Sequence, residues 1–153
     1  MTMIKEKKPL TEEMYSRIIN TLLDSFNGSK EMIKDSRHVA LILELSASLG
    51  LRISEILSLS FADFKYDDGK DRYYVEYVDF NMRETKEAAV PSACDKDIYS
   101  YVMEYKVVTL GKLFDVDMRT VRRHLIKACE KLGYRGIRTY HFRKLYYGIK
   151  CVQ

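Results

Sequence analysis

The sequence predicts a mainly helical α+β domain with a small antiparallel sheet in its middle. Apolar residues recur at helical spacing in segments on both sides of the centre. Between them, the segment Arg72–Val78 is rich in aromatic and β-branched residues, as strands are. The chain has 153 residues, 46% of them hydrophobic, which is enough for one core.

The first half of the chain predicts three helices. The first helix begins after the N-cap Thr11, whose next residues are acidic, and stops before Gly28. The second begins near Asp35-Ser36, carries apolar residues at helical spacing and ends at Gly50, a residue type that favours a helix C-terminus. A short third helix follows, for which Ser54 is the predicted N-cap.

The residue patterns in the centre and the second half of the chain predict two strands followed by three helices. Turn residues bound the strands, and one of the helices has its apolar positions on a single stripe. In chain order, the predicted elements are a turn at Asp67–Lys70, strands at Arg72–Val78 and Met82–Val90, helices at Asp97–Val108 and Thr120–Leu132, and a last helix that begins near Thr139.

The chain is predicted to form one domain. Residues 1–8 form a short basic leader, and residues 9–153 form a single domain without internal repeats or linkers. The three cysteines and three histidines are scattered, so we predict no disulfide framework, no metal site and a reducing, cytoplasmic compartment. The longest apolar run, Val39–Leu43, is too short to cross a bilayer, so we expect no membrane association.

Basic residues are concentrated at the C-terminal end of the chain. Residues 119–153 carry a net charge of +9 (ten Lys or Arg against one acid), whereas the other 118 residues carry −5 (16 basic against 21 acidic). This polarity favours a polyanion as the partner, most simply double-stranded DNA, and hence a nucleoid-associated protein. On charge alone, a basic face that meets only solvent or an acidic protein is the alternative.

Arg52 lies between two predicted helices, directly after the sequence Leu49-Gly50-Leu51. A turn of this kind holds a guanidinium over an apolar base, and Glu55, three residues later, is a candidate orienting partner. Arginine stays charged and its planar fork binds two phosphate oxygens at once, which suits a phosphodiester site. Taken alone, the same pattern also fits an ordinary surface arginine at a helix corner.

Four segments together resemble the catalytic domain of the tyrosine recombinase (phage integrase) family. They occur in the family's order and the resemblance covers residues 9–150. Gly50–Leu59 with Phe61–Phe64 resembles the first arginine box, Pro9–Glu13 the start of the domain, the strand pair ending at Ala89-Val90-Pro91 the β-hairpin, and Gly133–Ile137 leading into Tyr140–Arg143 the second arginine box.

The resemblance implies a fold and a chemistry. Members of this family cut and rejoin DNA, in DNA integration and site-specific recombination, without a metal or a cofactor. A tyrosine attacks the scissile phosphate, two arginines hold its non-bridging oxygens, and a lysine on the hairpin protonates the departing 5′ oxygen. Fixed donors of this kind stabilise the negative charge that the transition state gathers. By matching positions, Arg52 and Arg143 are the two arginines.

The chain departs from the family pattern in the second arginine box and in the β-hairpin. The second box is normally His-x-x-Arg, but Tyr140 occupies the histidine position, His141 follows it, and Lys144 comes after the arginine. The place of the hairpin lysine falls on Arg83, which does not release a proton easily, whereas Lys86 suits proton transfer if the register shifts. The candidate catalytic residues are therefore Arg52, Arg83, Lys86, Tyr140, His141 and Arg143.

The family's nucleophilic tyrosine lies farther beyond the second arginine than this chain extends. We therefore expect an incomplete domain that binds DNA and does not cleave it as given, which leaves its status as an enzyme open. The chain is either a piece of a longer recombinase from a mobile element or a small relative that kept the fold and lost the chemistry. A homo-oligomer on DNA is expected, since ordered strand exchange in the family needs several protomers.

A second DNA-binding pattern overlaps the first. Leu110–Leu125 has the spacing of a helix-turn-helix, with Gly111 in the first helix and a turn at Asp115. This pattern favours, as the alternative, a transcription regulator of the helix-turn-helix type without recombinase activity. In both interpretations the basic residues contact DNA. The predicted DNA-binding residues are Arg52, Lys86, Arg119, Arg122, Arg123, Lys127, Arg138, Arg143 and Lys144.

Overall fold

A computed structural model describes residues 10–24, 30–70, 72–89 and 112–145. It confirms the mainly helical α+β fold with a small antiparallel sheet. The elements are α1 (Glu12–Leu23), α2 (Lys30–Leu49), α3 (Ile53–Leu57), a 3-10 turn (Phe61–Asp63), β1 (Phe64–Asp67), β2 (Arg72–Asp79), β3 (Glu84–Ala89) and α4 (Met118–Leu132), and residues 140–145 are also helical. The predicted helix at 97–108 lies outside the described residues.

Helix α2 is the centre of the core. Its residues 38–46 are all buried, and it contacts α1, α3 and α4. Apolar side chains from α1 and α4, such as Ile18 and Val121, are fully buried around it. Phe142 from the helical segment 140–145 is also fully buried. Because such interiors are densely packed, helices α1 to α4 and the segment 140–145 hold fixed positions relative to one another.

In the first half of the chain, two helix starts differ from the prediction. Helix α2 begins at Lys30 and not near Ser36, because the Ser36 hydroxyl is buried and hydrogen-bonded to Nδ1 of His124, at 2.9 Å, and does not cap a helix. The N-cap of α3 is Arg52 and not Ser54. Its backbone N–H donates to a Glu55 carboxylate oxygen at 2.8 Å, which satisfies the first donor of the helix.

The three strands form one antiparallel sheet in the order β1-β2-β3. The sequence did not predict β1, a four-residue strand in which Phe64 pairs with Val75 of β2. Strand β3 begins at Glu84 and not at the predicted Met82, because residues 80–83 form the turn that joins β2 to β3. Among the sheet residues whose burial the structure describes, only Val75 is fully buried, so the sheet is a surface layer on the helical core.

The first helix of the predicted helix-turn-helix is not formed at residues 112–114. Lys112 pairs with Ser60 as an isolated bridge, and the Leu113 backbone N–H donates to the Leu59 carbonyl at 2.9 Å. Leu113 and Phe114 are buried, so this extended segment is a part of the core. The second helix of the pattern exists as α4, and it starts at Met118 and not Thr120 because Asp117 is its N-cap.

Helix length and hydropathy decide whether a helix can span a membrane. Among the helices that the structure describes, none is both long enough and apolar enough to span a bilayer.

Candidate nucleic-acid interface

The turn between α2 and α3 fixes the position of Arg52. Gly50 ends α2 with a φ of 72°, in the left-handed region that a residue without Cβ adopts easily. The Leu51 side chain is 1% exposed, and its carbonyl accepts a hydrogen bond from the buried Ser46 hydroxyl at 2.7 Å. Arg52 itself is half-buried. The backbone that precedes Arg52 is therefore fixed by the buried Leu51 side chain and by the hydrogen bond from Ser46.

Glu55 holds the same arginine from the other side. Its side chain is buried, and one oxygen, Oε1, accepts from the Arg52 backbone N–H. The other, Oε2, lies 3.4 Å from Nη1 of Arg52 and also accepts from the Phe80 backbone N–H at 3.1 Å. One buried carboxylate therefore ties the guanidinium of Arg52 to the start of the β2–β3 turn. A buried carboxylate requires such donors, because an unpaired charge would be costly.

Arg143 lies beside the turn that carries Arg52. Its Nε donates a hydrogen bond to the Gly50 carbonyl at 2.8 Å, although the two residues are 93 positions apart in the chain. The preceding residue, Phe142, is fully buried and fixes this segment in the core. The structure thus brings together the two arginines that the sequence singled out.

Next to Arg143, the structure gives Tyr140 and His141 different surroundings. Tyr140 is 51% exposed, and Nζ of Lys144 lies 5.2 Å from the centre of its ring. His141 is buried, and its Nδ1 accepts from the Arg138 backbone N–H at 2.9 Å. Burial and, secondarily, the charges of Lys144 and Arg138 lower the pKa of His141. Because Nδ1 accepts the hydrogen bond from the Arg138 N–H, the ring proton of neutral His141 lies on Nε2.

The β2–β3 hairpin places Arg83 and Lys86 differently. Arg83 is exposed in the turn, with a φ of 54°. Lys86 lies on β3, opposite Tyr77, and its Nζ is 3.1 Å from a carboxylate oxygen of Asp79. This hydrogen bond raises the pKa of Lys86. The Met82 backbone N–H and then the Lys86 ammonium lower the pKa of Asp79 to about 2.

Helix α4 presents a basic face to solvent. Its apolar stripe is buried against the core, and five basic residues are exposed on the other side: Arg119, Arg122, Arg123, Lys127 and Lys131. A groove of about 350 Å³ separates this face from the segment that leads to Arg143. Arg122, Arg138 and Tyr140 are among its lining residues. The predicted basic residues of α4 therefore lie next to those of the second arginine box.

The described residues show no metal centre. No group of three or more His, Cys, Asp or Glu side chains among them is arranged to hold an ion. Cys129 is a buried free cysteine, and burial raises the pKa of its thiol to about 11, which suppresses the reactive thiolate. The chemistry of this surface is that of arginine, lysine, tyrosine and backbone donors.

Solved structures of recombinases share this arrangement of elements. The XerH site-specific recombinase in a post-cleavage complex with a palindromic difH substrate matches with a TM-score of 0.74 at 14% sequence identity. The chain has a recombinase catalytic-domain-like fold. The pre-cleavage complex of XerH with difH gives a TM-score of 0.72 at 15% identity, and the XerA recombinase gives 0.68 at 16%.

The matches cover nearly all of this chain but less than half of each recombinase chain. They cover 97%, 98% and 93% of this chain but 43%, 45% and 49% of the three recombinase chains. This chain therefore spans less than half the length of each. No protein-family model matches the sequence, and no curated protein sequence matches it. The likeness to the recombinases is one of fold.

Two contacts of this site were not predicted from the sequence. They are the bond from Arg143 to the Gly50 carbonyl and the bond from the Phe80 N–H to Glu55. Each of these bonds joins a side chain to a backbone group that is distant in the sequence. Because every residue has a backbone carbonyl and nearly every residue a backbone N–H, no residue pattern predicts which one is used. The turn at residues 80–83 did have a signal, because the carboxylate of an aspartate such as Asp79 can accept from the backbone N–H groups that follow it in an Asx-type turn.

Proposed function

We propose that this chain is a DNA-binding domain of the tyrosine recombinase type, in which Arg52 and Arg143 clamp one phosphodiester. The observation that carries the proposal is the 2.8 Å bond from Arg143 to the Gly50 carbonyl, two residues from Arg52. Two guanidinium groups anchored on the same turn supply the donors and the charge that a phosphate requires. The recombinase fold of the chain and the DNA substrates in the XerH complexes support the same partner.

The basic face of α4 extends this interface. Arg119, Arg122, Arg123 and Lys127 are exposed on one side of the helix, and Arg138 and Lys144 are exposed near Arg143. We assign these residues to phosphates and groove edges that flank the clamped phosphodiester. Contacts to phosphates fix the register of a protein on a duplex and make its affinity depend on salt.

The residue types at the catalytic positions favour binding over cleavage. The leaving 5′ oxygen needs a proton donor, and neither hairpin candidate gives up a proton easily. Arg83 is a guanidinium, and the bond to Asp79 raises the pKa of Lys86. With Tyr140 in the histidine position of the second box, we propose that these residues hold DNA without cutting it. A suicide duplex is expected to form no covalent adduct with this chain.

Other features of the proposal rest on the resemblance to the family. These are a role in DNA integration or recombination on a mobile element, assembly as a homo-oligomer on DNA, the absence of a cofactor, and a cytoplasmic, nucleoid-associated location. The second candidate function is a transcription regulator that binds DNA mainly through α4. The exposed arginines of that helix favour it.

Substitutions at the two surfaces separate these functions. Affinity for a duplex is measured by fluorescence anisotropy over a series of salt concentrations. Arg52→Ala and Arg143→Ala are each expected to weaken binding and to lower the salt slope by about 1, since each removes a phosphate contact. If only the substitution of Arg119, Arg122 and Arg123 weakens binding, the regulator replaces the recombinase-type domain. If no duplex binds at low salt, both functions are wrong.

A further inference from the structure

The tip of the β2–β3 hairpin, residues Phe80–Arg83, exposes apolar side chains where polar ones are usual. Phe80 is 47% exposed and Met82 is 60% exposed, the highest value among the large hydrophobic residues that the structure describes. Turns of this kind normally carry Gly, Asn, Asp, Ser or Pro. Burial of two such side chains against a partner would remove this apolar surface from water.

The tip is also held in one conformation. A carboxylate oxygen of Asp79 accepts from the backbone N–H groups of Asn81 and Met82, each at 2.9 Å, and the Arg83 N–H donates to the Asp79 carbonyl at 2.7 Å. Arg83 is the only non-glycine residue with a positive φ in the described part of the chain. That conformation is unfavourable for an L-residue, so the surrounding hydrogen bonds must impose it. The tip is therefore preorganised.

The tip begins beside the turn at residues 50–52 that carries Arg52, which we call the arginine turn. The Phe80 N–H and Nη1 of Arg52 contact the same oxygen of Glu55. Arg83 is exposed within the tip, and Lys86 lies three residues beyond its end. Acids and cations both lie around the tip: Asp79 and the exposed Glu84 flank it, and Lys86 is paired with Asp79. What favours DNA as the partner is the position of the apolar tip next to Arg52, because base pairs present an apolar interior beside the phosphates that an arginine binds.

We infer, on the basis of the proposed function, that the hairpin tip is a minor-groove wedge. Phe80 and Met82 press against a base step next to the clamped phosphate, and Arg83 lies in the groove. Proteins that bind the minor groove use apolar side chains in this way and bend the duplex. An arginine in a narrow groove prefers A·T-rich DNA, where the negative potential is stronger.

Two measurements on the full chain test the wedge. Affinities for an alternating A·T duplex and an alternating G·C duplex are compared by anisotropy, and bending is measured by energy transfer between dyes on the two duplex ends. The wild type is expected to bind the A·T duplex about fivefold more tightly, which is at the low end of sequence effects, and to shorten its end-to-end distance. Met82→Ser and the double variant Phe80→Ser/Met82→Ser are expected to reduce both effects.

The control is Tyr66→Ser, which removes a similarly exposed apolar side chain from the end of the sheet away from the tip. It is expected to leave preference and bending unchanged. If Met82→Ser and the double variant keep the wild-type preference and bending, the wedge is wrong while the clamp stands. If the wild type binds neither duplex, the proposed function fails first. Unfolding midpoints confirm that each variant is folded.

Discussion

Replacement of Glu55 by glutamine tests how the arginine turn is held. The glutamine has the same shape, and its carbonyl oxygen can still accept from the Arg52 backbone N–H. Its NH₂ group then takes the place of Oε2, where the Phe80 N–H and Nη1 of Arg52 point. Donors therefore face donors at a position that is only 2% exposed.

The expected cost follows from the bonds lost. A buried donor left without an acceptor destabilises a protein by about 1–3 kcal/mol. The Phe80 N–H is one such donor, and Arg52 is partly exposed and can turn toward water, at the expense of its fixed position. We expect Glu55→Gln to lower the free energy of unfolding by about 1–3 kcal/mol and to weaken DNA binding as Arg52→Ala does.

Urea unfolding and anisotropy measure the two effects. The matched control is Glu76→Gln, which breaks the exposed ion pair of Glu76 with Lys65. Exposed pairs contribute about 0–1 kcal/mol, so the control should change stability little and leave DNA binding unaffected. If Glu55→Gln shifts the urea midpoint no more than Glu76→Gln does, Glu55 does not fix the arginine turn and the hairpin as described.

Two further predictions concern stability. Burial, followed by the charges of Lys34 and Arg37, lowers the pKa of His38 to about 3. The folded state therefore favours the neutral imidazole. The stability that neutral His38 contributes is complete above pH 6.5 and is lost as the pH falls toward 3. Between pH 6.5 and pH 5, urea unfolding should show a loss of about 2 kcal/mol that His38→Gln removes, and an equal loss in that variant would contradict the assignment. Asp117→Ala removes the N-cap of α4 and should cost about 1 kcal/mol in thermal unfolding, whereas Asp115→Ala should not; equal effects would show that the cap contributes nothing.

Local patterns predicted most of the fold. Thr11, which accepts from the Met14 N–H, and Gly133, with its φ of 75°, mark helix ends that propensity alone identifies. The start of α2 was missed because Ser36 looks like a cap in the sequence but pairs with His124, 88 residues away. Strand β1 was missed because four residues give too little alternation to detect, and its stability comes from pairing with β2.

The sequence predicted the charged residues of the candidate site but not the backbone groups that orient them. Arg52 and Arg143 could be chosen from the sequence because their motifs are local, and their proximity followed only from the resemblance. The backbone groups that orient them, at Gly50 and Phe80, became known from the three-dimensional structure. Orientation of a side chain by a distant backbone group depends on how elements pack, and sequence spacing does not encode it.

A double-mutant cycle of Arg52→Ala and Arg143→Ala in duplex affinity tests the central claim most directly. Residues that hold one phosphate are coupled, and coupled pairs deviate from additivity by about 0.5–3 kcal/mol. We expect the double variant to lose less affinity than the two single variants lose in total, by about 1 kcal/mol or more. Strictly additive losses would mean that the two arginines contact separate phosphates, and the clamp would be wrong.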